Sequence, residues 1–190
     1  MSDRAMTVRE AMGLEDRRGF LPPEYQAHAA EDRPLPIGSG GTNSQPTTVL
    51  RMLELLDVHP GHRVLDIGSG SGWTTAVLSR LVGESGTVIG VELEPALVSM
   101  GRENLGIRAN ARIEEAHDGV FGWPQAAPYD RILVSAMAEE LPADLIDQLA
   151  DGGLVVVPID GVMTLVRKDR GGVTTSEHGL YRFVPLRRHT

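Results

Sequence analysis

A strand that runs directly into a glycine-rich loop constrains this chain more than any other feature. Residues 63–67 read RVLDI, a short apolar run, and DIGSGSGW continues to Trp73, where a helical pattern begins. Glycines permit positive φ and let a ligand approach the backbone, while the N–H groups that open the next helix face that ligand. The segment therefore predicts a ligand-binding turn, and a tight turn without a ligand is the alternative.

Apolar patterns after this loop alternate between strand and helix. We predict strands at 63–67, 87–91, 111–115, 131–135, 154–158 and 162–167, with a last one at 180–186. Helices are predicted from Pro46 to the turn at 59–61, then at 73–82, 95–105 and 143–150. This order predicts an α/β fold, a doubly wound and mostly parallel sheet of the Rossmann-like kind with helices on both faces. Its ligand site should lie at the carboxyl ends of the strands, where the strand order reverses.

The first 46 residues have a different composition. The stretch FLPPEYQAHAAEDRPLPIGSGGTNSQP is dominated by residues that resist regular structure. We expect one domain over 1–190, in which 1–46 forms an irregular N-terminal cap and 47–190 the α/β core. Composition leaves open whether the first segment is an ordered cap or a mobile flap.

Composition narrows the functional classes. The 190 residues are 41% apolar, and 18 basic against 26 acidic side chains give a net charge of −8, which disfavours broad binding to nucleic acid or to anionic membranes. The longest apolar run, 154–159, is far short of the ~20 residues that cross a bilayer. The opening MSDRAMTVRE lacks the apolar core of a secretory signal. The chain has no cysteine, which excludes a disulfide scaffold and a thiol nucleophile and fits a cytoplasmic enzyme.

The spacing of the histidines and tryptophans does not indicate a further binding site. We expect Trp73 and Trp123 to pack in the core or at a rim, and the final RRHT to be a frayed charged tail. No metal site is predicted, because the six histidines have no compact ligand spacing. They are His28, His59, His62, His117, His178 and His189.

The glycine spacing indicates which ligand the loop binds. A dinucleotide fingerprint has glycines at its first, third and sixth positions, the last for close contact between helix and strand. Counted from Gly68, the third position is Gly70, but the sixth is Trp73, whose indole cannot supply that contact. The third glycine is Gly72, which makes a G-x-G-x-G loop and argues against nicotinamide and flavin cofactors.

Two further positions fit an adenosine-type ligand. Glu92 ends the second strand about twenty residues on, where a carboxylate can accept hydrogen bonds from both ribose hydroxyls. Asp118, after the third strand, can accept a bond from an exocyclic amine such as that of adenine, and Gly119 turns the chain. Taken alone, Glu92 reads as a solvated strand end and Asp118-Gly119 as a simple turn.

Longer segments carry a family resemblance. Four segments together resemble those of S-adenosylmethionine-dependent methyltransferases. They are DIGSGSG, the acid at Glu92, Asp118-Gly119 and the APYD of 127–130. EDRPLPIGSGGTNSQP at 31–46 resembles the substrate-loop signature of the protein-L-isoaspartate O-methyltransferase family, which ends in T-x-S-Q-P. Further segments follow in the order that the family has. They are RVLDIGSGSGW, GWPQAAPYD, Gly152-Gly153 before VVVP, and RFVPL, so the resemblance covers about residues 29–186.

The resemblance implies S-adenosylmethionine as cofactor and isoaspartyl-containing proteins and peptides as substrates. By resemblance Ser44 is the catalytic serine, and Gly41, Thr42 and Asn43 line the substrate loop. The implied cofactor-binding residues are those of the glycine loop and the three positions beyond it. They are Asp66, Gly68, Ser69, Gly70, Gly72, Glu92, Asp118 and Gly119.

The chain departs from the family pattern beside the expected peptide groove. Gly41 stands where the family usually has Gln, and Asn43 where it usually has a β-branched apolar residue. Ala30 replaces a common aromatic, and Met137-Ala138 stand where alanine and proline are more usual. These positions leave the cofactor prediction intact and bear on the substrate.

The implied chemistry needs no general base. An isoaspartyl residue exposes an α-type carboxyl group with a reference pKa of ~3.3–3.7, so it is ionised at neutral pH. Ser44 would donate a hydrogen bond that orients this carboxylate, whereas the simpler alternative is that Ser44 only caps the helix that begins near Gln45. The methyl ester then collapses to a succinimide that reopens partly to normal aspartate, which is the repair logic of the family.

Three other functions stay open at this point. The chain could be a carboxyl methyltransferase for a dedicated peptide or other carboxylate, given the altered Gly41, Asn43 and Ala30. It could also be a catalytically silent cofactor-binding homologue. An RNA methyltransferase is disfavoured, because phosphate contacts need clustered Lys and Arg. The sequence carries no signal for the oligomeric state.

Overall fold

The structure, a computed structural model, describes residues 6–188, and its N-terminal part is an ordered cap. Helix α1 begins with a capping box, in which the Thr7 hydroxyl accepts from the Glu10 N–H and the Glu10 carboxylate accepts from the Thr7 N–H. The sequence prediction missed this helix, although Thr7 and Glu10 stand at the spacing of that motif. The cap contains α1 Val8–Leu14, the 3₁₀ turns Arg17–Phe20 and Pro23–His28, and the hairpin strands β1 Leu35–Gly38 and β2 Gly41–Asn43.

Four helices follow the cap. They are α2 Pro46–Leu56, α3 Trp73–Val82, α4 Pro95–Leu105 and α5 Ala143–Asp147. Gln45 is the N-cap residue of α2, and its side chain makes no capping hydrogen bond. The Asp32 carboxylate takes that place, because it accepts from the N–H and the hydroxyl of Thr47 at 2.9 and 2.7 Å. The interpretation that Ser44 caps this helix is therefore wrong.

Seven strands form the central sheet. They are β3 Arg63–Ile67, β4 Thr87–Glu92, β5 Ala111–Glu115, β6 Tyr129–Val134, β7 Leu149–Ile159, β8 Val162–Asp169 and β9 Gly172–Leu180. Their order is β5-β4-β3-β6-β7-β8-β9, in which β3 to β7 run parallel and β8 and β9 are antiparallel additions. The predicted doubly wound, mostly parallel sheet is confirmed.

Two predicted elements near the carboxyl end are wrong. The helix predicted over 143–150 stops at Asp147, because Leu149 already pairs with Tyr129 as the start of β7. The strand predicted at 180–186 lies instead at Gly172–Leu180, and the following chain returns to the end of β6, where Met137 pairs with Pro185. Strand β9 escaped detection because most of its side chains are exposed, so it has no alternating pattern.

The sheet buries a different apolar cluster on each face. Val64, Val88 and Val156 face one cluster, to which α1, α2, α3 and α4 contribute their apolar sides. Their neighbours Leu65 and Ile89 face the second cluster, which α5 and the 121–127 segment cover. Within residues 6–188, no helix combines the length and the apolar character that crossing a membrane demands.

Strand β3 has β4 on one side and β6 on the other, so the strand order reverses beside it. In open α/β sheets the crevice at such a reversal, beyond the carboxyl ends of the strands, is where ligands bind. The glycine loop after β3 and the residues after β4 and β6 therefore converge at one edge.

Candidate functional site

A cavity of about 420 Å³ opens at this edge of the sheet. It lies between the β1–β2 hairpin, the loops after β3, β4, β5 and β6, and the carboxyl-terminal segment 184–188. Of the residues predicted for the site, Gly41, Thr42, Gly68, Gly70 and Glu92 line it. The cap thus closes over the crevice that the sheet creates.

The glycine loop has the backbone that its sequence predicts. Gly68, Gly70 and Gly72 have φ of 74°, 53° and 89°, a region that favours glycine. A Cβ on Gly70 would lie 3.0 Å from the Ile37 side chain of the hairpin, whereas one on Gly72 would lie 2.9 Å from the Gly101 carbonyl oxygen. Gly70 thus leaves room between loop and cap, while Gly72 lets the loop pack against α4 and lies outside the large cavity.

Glu92 is fixed by backbone donors at the cavity wall. Its side chain is buried, and one carboxylate oxygen accepts from the Gly70 N–H at 2.9 Å. The other oxygen accepts from the N–H groups of Leu93 and Glu94 at 2.7 and 3.0 Å. The carboxylate therefore holds the glycine loop in shape while it lines the cavity.

Asp66 lies beneath the loop and does not line either cavity at this edge of the sheet. It is fully buried, and Oδ2 accepts from the hydroxyls of Thr74 and Thr75 at 2.8 and 2.7 Å. Burial raises the pKa of this carboxyl to about 6, although the two threonine bonds act in the opposite direction. Asp66 thus braces the start of α3 from inside the protein, and its placement does not support a direct contact with a cofactor.

The third predicted contact is displaced along the chain. Asp118 and Gly119 do not line the cavity, but the neighbouring His117 and Val120 do. The Gly119 carbonyl oxygen accepts from an Arg188 guanidinium N–H at 3.2 Å. His117 stacks on Trp123 with ring centroids 4.3 Å apart, so Trp123 packs at the rim as predicted.

A second, smaller cavity of about 30 Å³ adjoins the first. The two cavities share four lining residues, Thr42, Gly68, Gly70 and Ser135. Ser44, Asn43, Ser69, Ser71, Trp73 and Thr74 complete the lining of the smaller one. Within residues 6–188, no charged side chain and no histidine lines it, and most of its polar groups are hydroxyls.

Ser44 presents a hydroxyl to the small cavity. The residue is half-buried, and its hydroxyl makes no hydrogen bond within residues 6–188. Its backbone is held, because the Ser44 carbonyl oxygen accepts from the Arg17 guanidinium at 3.0 Å. The main chain therefore fixes the position of Ser44, while its hydroxyl stays available to a ligand in the cavity.

Asn43 is turned into the protein between Arg17 and the glycine loop. Its side chain is buried, Oδ1 accepts from the Arg17 Nε–H at 2.8 Å, and Nδ2 donates to the Ser71 hydroxyl at 3.1 Å. Although Asn43 lines the small cavity, both ends of its amide are engaged by protein. Asn43 therefore links the substrate loop to the glycine loop.

Arg17 anchors the segment that carries Asn43 and Ser44, and the sequence prediction missed it. Its buried guanidinium donates six hydrogen bonds, one to the Asn43 side chain and five to carbonyl oxygens of the cap. Burial lowers the pKa of Arg17 to about 10, so the group stays charged at neutral pH. No local sequence pattern predicts the role of Arg17, because its hydrogen-bond partners lie 12 to 27 positions away.

Ser135 was also missed, although a signal for it exists. It follows β6, the strand next to β3 on the other side of the reversal, and its N–H donates to the Ile67 carbonyl oxygen at 2.8 Å. The sequence predicted this strand and the site at its carboxyl end, which is enough to single out the residue. No group of three or more His, Asp or Glu side chains within residues 6–188 could hold a metal ion.

Comparisons with known proteins agree with this geometry. The family model described as protein-L-isoaspartate(D-aspartate) O-methyltransferase matches residues 3–190. The Aeropyrum pernix protein-L-isoaspartate O-methyltransferase is 46% identical over 94% of this chain and 72% of its own length. The enzyme of that name from Anaeromyxobacter dehalogenans strain 2CP-1 is 44% identical over 98% of this chain and 91% of its own.

Solved structures show the same fold. A protein-L-isoaspartate O-methyltransferase superposes with a TM-score of 0.85 at 31% identity, over 96% of this chain and 62% of that longer one. A Plasmodium falciparum protein described as the same enzyme, solved with S-adenosyl-L-homocysteine, gives a TM-score of 0.83 at 27% identity over 100% of this chain and 93% of its own. The chain belongs to the protein-L-isoaspartate(D-aspartate) O-methyltransferase family.

Proposed function

We propose that this chain transfers a methyl group from S-adenosylmethionine to the α-carboxylate of L-isoaspartyl residues in damaged proteins and peptides. The observation that carries the proposal is the pair of joined cavities, a large one against the glycine loop and a small one lined by hydroxyls. A cofactor and an acceptor carboxylate need two such spaces that meet at one point. The four shared residues mark that meeting point.

The large cavity fits the adenosyl cofactor. Gly68 and Gly70 leave the backbone open where a side chain would fill the space, and Glu92 offers a fixed carboxylate on the wall for ribose hydroxyls. The methyl group is supplied as a sulfonium, so that the acceptor oxygen gains the carbon while the electron pair of the broken bond stays on sulfur. Since a carboxylate is already ionised, the chain has only to bind and orient the acceptor.

Ser44 and Thr42 are the residues that we assign to the acceptor. Ser44 offers an unpaired hydroxyl beside the glycine loop, and Thr42 lines both cavities. Both side chains are hydroxyls, which can donate hydrogen bonds that orient a carboxylate. The resulting methyl ester then forms a succinimide that reopens partly to normal aspartate.

Two departures from the family pattern, Asn43 and Gly41, do not require another substrate. Asn43 is explained by its bonds to Arg17 and Ser71, and so need not contact a different acceptor. Gly41 lies against Leu97, where a Cβ would approach the Leu97 side chain to 3.1 Å. We therefore place the repair of isoaspartyl sites ahead of a dedicated peptide substrate. The net charge of −8 and the lack of cysteine fit action on protein in the cytoplasm.

The direct test uses two peptides that differ only in an isoaspartyl or an aspartyl linkage. The purified chain is incubated with each peptide and with S-adenosylmethionine labelled in the methyl group. We expect label on the isoaspartyl peptide alone, and release of that label as methanol when base cleaves the methyl ester. Label on neither peptide, with the cofactor still bound in calorimetry, would refute the proposed substrate.

A further inference from the structure

We propose that Ser135 is a second catalytic hydroxyl, which holds the acceptor carboxylate together with Ser44. The inference rests on the proposed function and deepens it. It begins from the small cavity, where the lining residues that were predicted for the site come only from the glycine loop and from the substrate loop. Ser135 comes from a third element, the end of β6.

The backbone of Ser135 is fixed where the two cavities meet. Its N–H donates to the Ile67 carbonyl oxygen at 2.8 Å and so extends the β3–β6 ladder by one step. A Cβ on Gly68 would lie 3.6 to 3.8 Å from Ser135 atoms, so the glycine loop packs directly against this residue. Ser135 lines both cavities, whereas Ser44 lines only the small one.

The hydroxyl of Ser135 has no partner among the described residues. Ser135 and Ser44 are half-buried and Thr42 is exposed, and none of the three hydroxyls makes a hydrogen bond within residues 6–188. The Ser69 Oγ is fully buried and also unpaired. Four hydroxyls without a partner among the described residues therefore line one small cavity, and the buried Ser69 Oγ is the one whose unpaired state costs stability.

Other hydroxyls around the same cavity are already engaged. The Ser71 Oγ accepts from Asn43, and the Thr74 hydroxyl donates to Asp66. The contrast divides the lining into groups that build the cavity and groups that are free to bind its occupant. Ser135 belongs to the second set, and of that set only Ser135 and Thr42 also reach the large cavity.

A carboxylate is the occupant that matches these donors. Each of its two oxygens accepts several hydrogen bonds, so two serine hydroxyls can each serve one oxygen. The cavity of about 30 Å³ exceeds the ~10–15 Å³ that a single water needs, so it has room for a small polar group such as a carboxylate. Because Ser135 also lines the large cavity and Ser44 does not, the carboxylate oxygen beside Ser135 is the one that faces the methyl donor.

The chemical step leaves Ser135 unchanged. The bond that forms joins a carboxylate oxygen to the methyl carbon, the bond that breaks joins that carbon to sulfur, and the electron pair stays on sulfur. A carboxylate and a sulfonium become a neutral ester and a neutral thioether, and no proton moves. Ser135 has only to donate a hydrogen bond that orients the acceptor.

The test compares three variants with the wild-type chain on the isoaspartyl peptide. Ser135→Thr keeps the hydroxyl, Ser135→Val keeps the shape of Thr without it, and Ser135→Ala removes the hydroxyl with least disturbance. We expect kcat/KM for the peptide to fall about tenfold in Ser135→Ala and Ser135→Val and to stay within threefold in Ser135→Thr. The Kd for S-adenosyl-L-homocysteine, measured by calorimetry, should not change. Ser176→Ala, an exposed serine on β9, is the matched control and should behave as wild type.

Each contrary result has a distinct meaning. Full activity of Ser135→Val, or a weakened Kd for S-adenosyl-L-homocysteine that accounts for the whole loss, would overturn the assignment of Ser135 to the acceptor. Thermal melts of all variants show whether a loss of activity reflects misfolding. Because Thr and Val have the same shape, the comparison of these two variants isolates the effect of the hydroxyl. A wild-type chain that does not methylate the isoaspartyl peptide would instead overturn the proposed function, and this inference with it.

Discussion

The Asn43 side chain donates to the Ser71 hydroxyl over 3.1 Å, and this bond ties the loop that carries Ser44 to the glycine loop. The other end of the same amide accepts from Arg17, which is buried and also holds the backbone of residues 43 and 44. The cofactor side and the acceptor side of the site are therefore one hydrogen-bonded unit. Its rigidity should govern both the stability of the cap and the placement of Ser44.

Replacement of Arg17 tests the anchor of this unit. Arg17→Lys should lower the free energy of unfolding by ~2–4 kcal/mol, because an ammonium has three donors and cannot serve the six acceptors. Urea denaturation measures the change. Arg18→Lys, at the exposed neighbouring position, is the control and should stay within ~0.5 kcal/mol of wild type. Equal stability of the two variants would show that the cap does not depend on Arg17.

Ser44→Ala separates a catalytic role from a structural one. Since Ser44 does not cap α2, its loss should leave the free energy of unfolding within ~0.5 kcal/mol of wild type. Turnover of the isoaspartyl peptide should fall ~10- to 100-fold, as expected for one hydrogen bond to a charged group. Steady-state kinetics and urea denaturation on the same preparation measure both quantities.

Asp32→Ala provides the contrast to this variant. It removes the carboxylate that accepts from Thr47, so it should lower the melting temperature while Ser44→Ala does not. Ser44→Ala with full turnover, or with the larger loss of stability, would contradict the assignment.

Glu92 should decide how well the cofactor binds. Glu92→Gln replaces one acceptor oxygen by a donor that cannot accept from the Gly70 N–H or from a ribose hydroxyl. We expect the Kd for S-adenosyl-L-homocysteine to rise at least about tenfold in calorimetry. Glu103→Gln, an exposed carboxylate on α4, is the control and should bind as wild type. Unchanged affinity in Glu92→Gln would remove the ribose assignment.

The buried Asp66 predicts a specific pH dependence. Burial raises its pKa to about 6 in the folded state, against an ordinary value of 3.8. Between these two values the folded protein binds more protons than the unfolded chain, so this group lowers stability as the pH rises from 4 to 6. The loss contributed by Asp66 should reach about 3 kcal/mol once the carboxyl is ionised.

Asp66→Asn should remove that contribution. The difference in unfolding free energy between variant and wild type should move in favour of the variant as the pH rises from 4 to 7, as urea denaturation at each pH measures. Asp147→Asn, at an exposed position on α5, should show no such trend. A pH-independent difference for Asp66→Asn would mean that Asp66 is already ionised in both states.

The sequence predicts the central elements of this fold well and its periphery poorly. Strand β3 and helices α3 and α4 begin and end at the predicted residues, because buried elements carry a strong apolar period and glycine or proline marks their ends. The edge strand β5 also matches its predicted bounds, although neither signal is strong there. Strand β9 has no such period, since it is held by backbone pairing to β8. The predicted end of α5 failed because the Asp151-Gly152-Gly153 segment lies inside β7 rather than after a helix.

The candidate site divides in the same way. Gly68, Gly70 and Glu92 could be placed from spacing alone, because the strand ends of a parallel sheet meet at one edge. Asp66 could not be assigned from sequence, since its side chain points beneath the loop that its neighbours form. Asn43 and Arg17 depend on a contact between segments 26 residues apart, which no local pattern encodes.

A crystal structure of the chain with S-adenosyl-L-homocysteine and an isoaspartyl peptide tests the central claim most directly. We expect the nucleoside in the large cavity with its ribose hydroxyls on Glu92, and the peptide carboxylate in the small cavity between Ser44 and Ser135. Density for either molecule at another place on the protein, with these two cavities empty, would contradict the account.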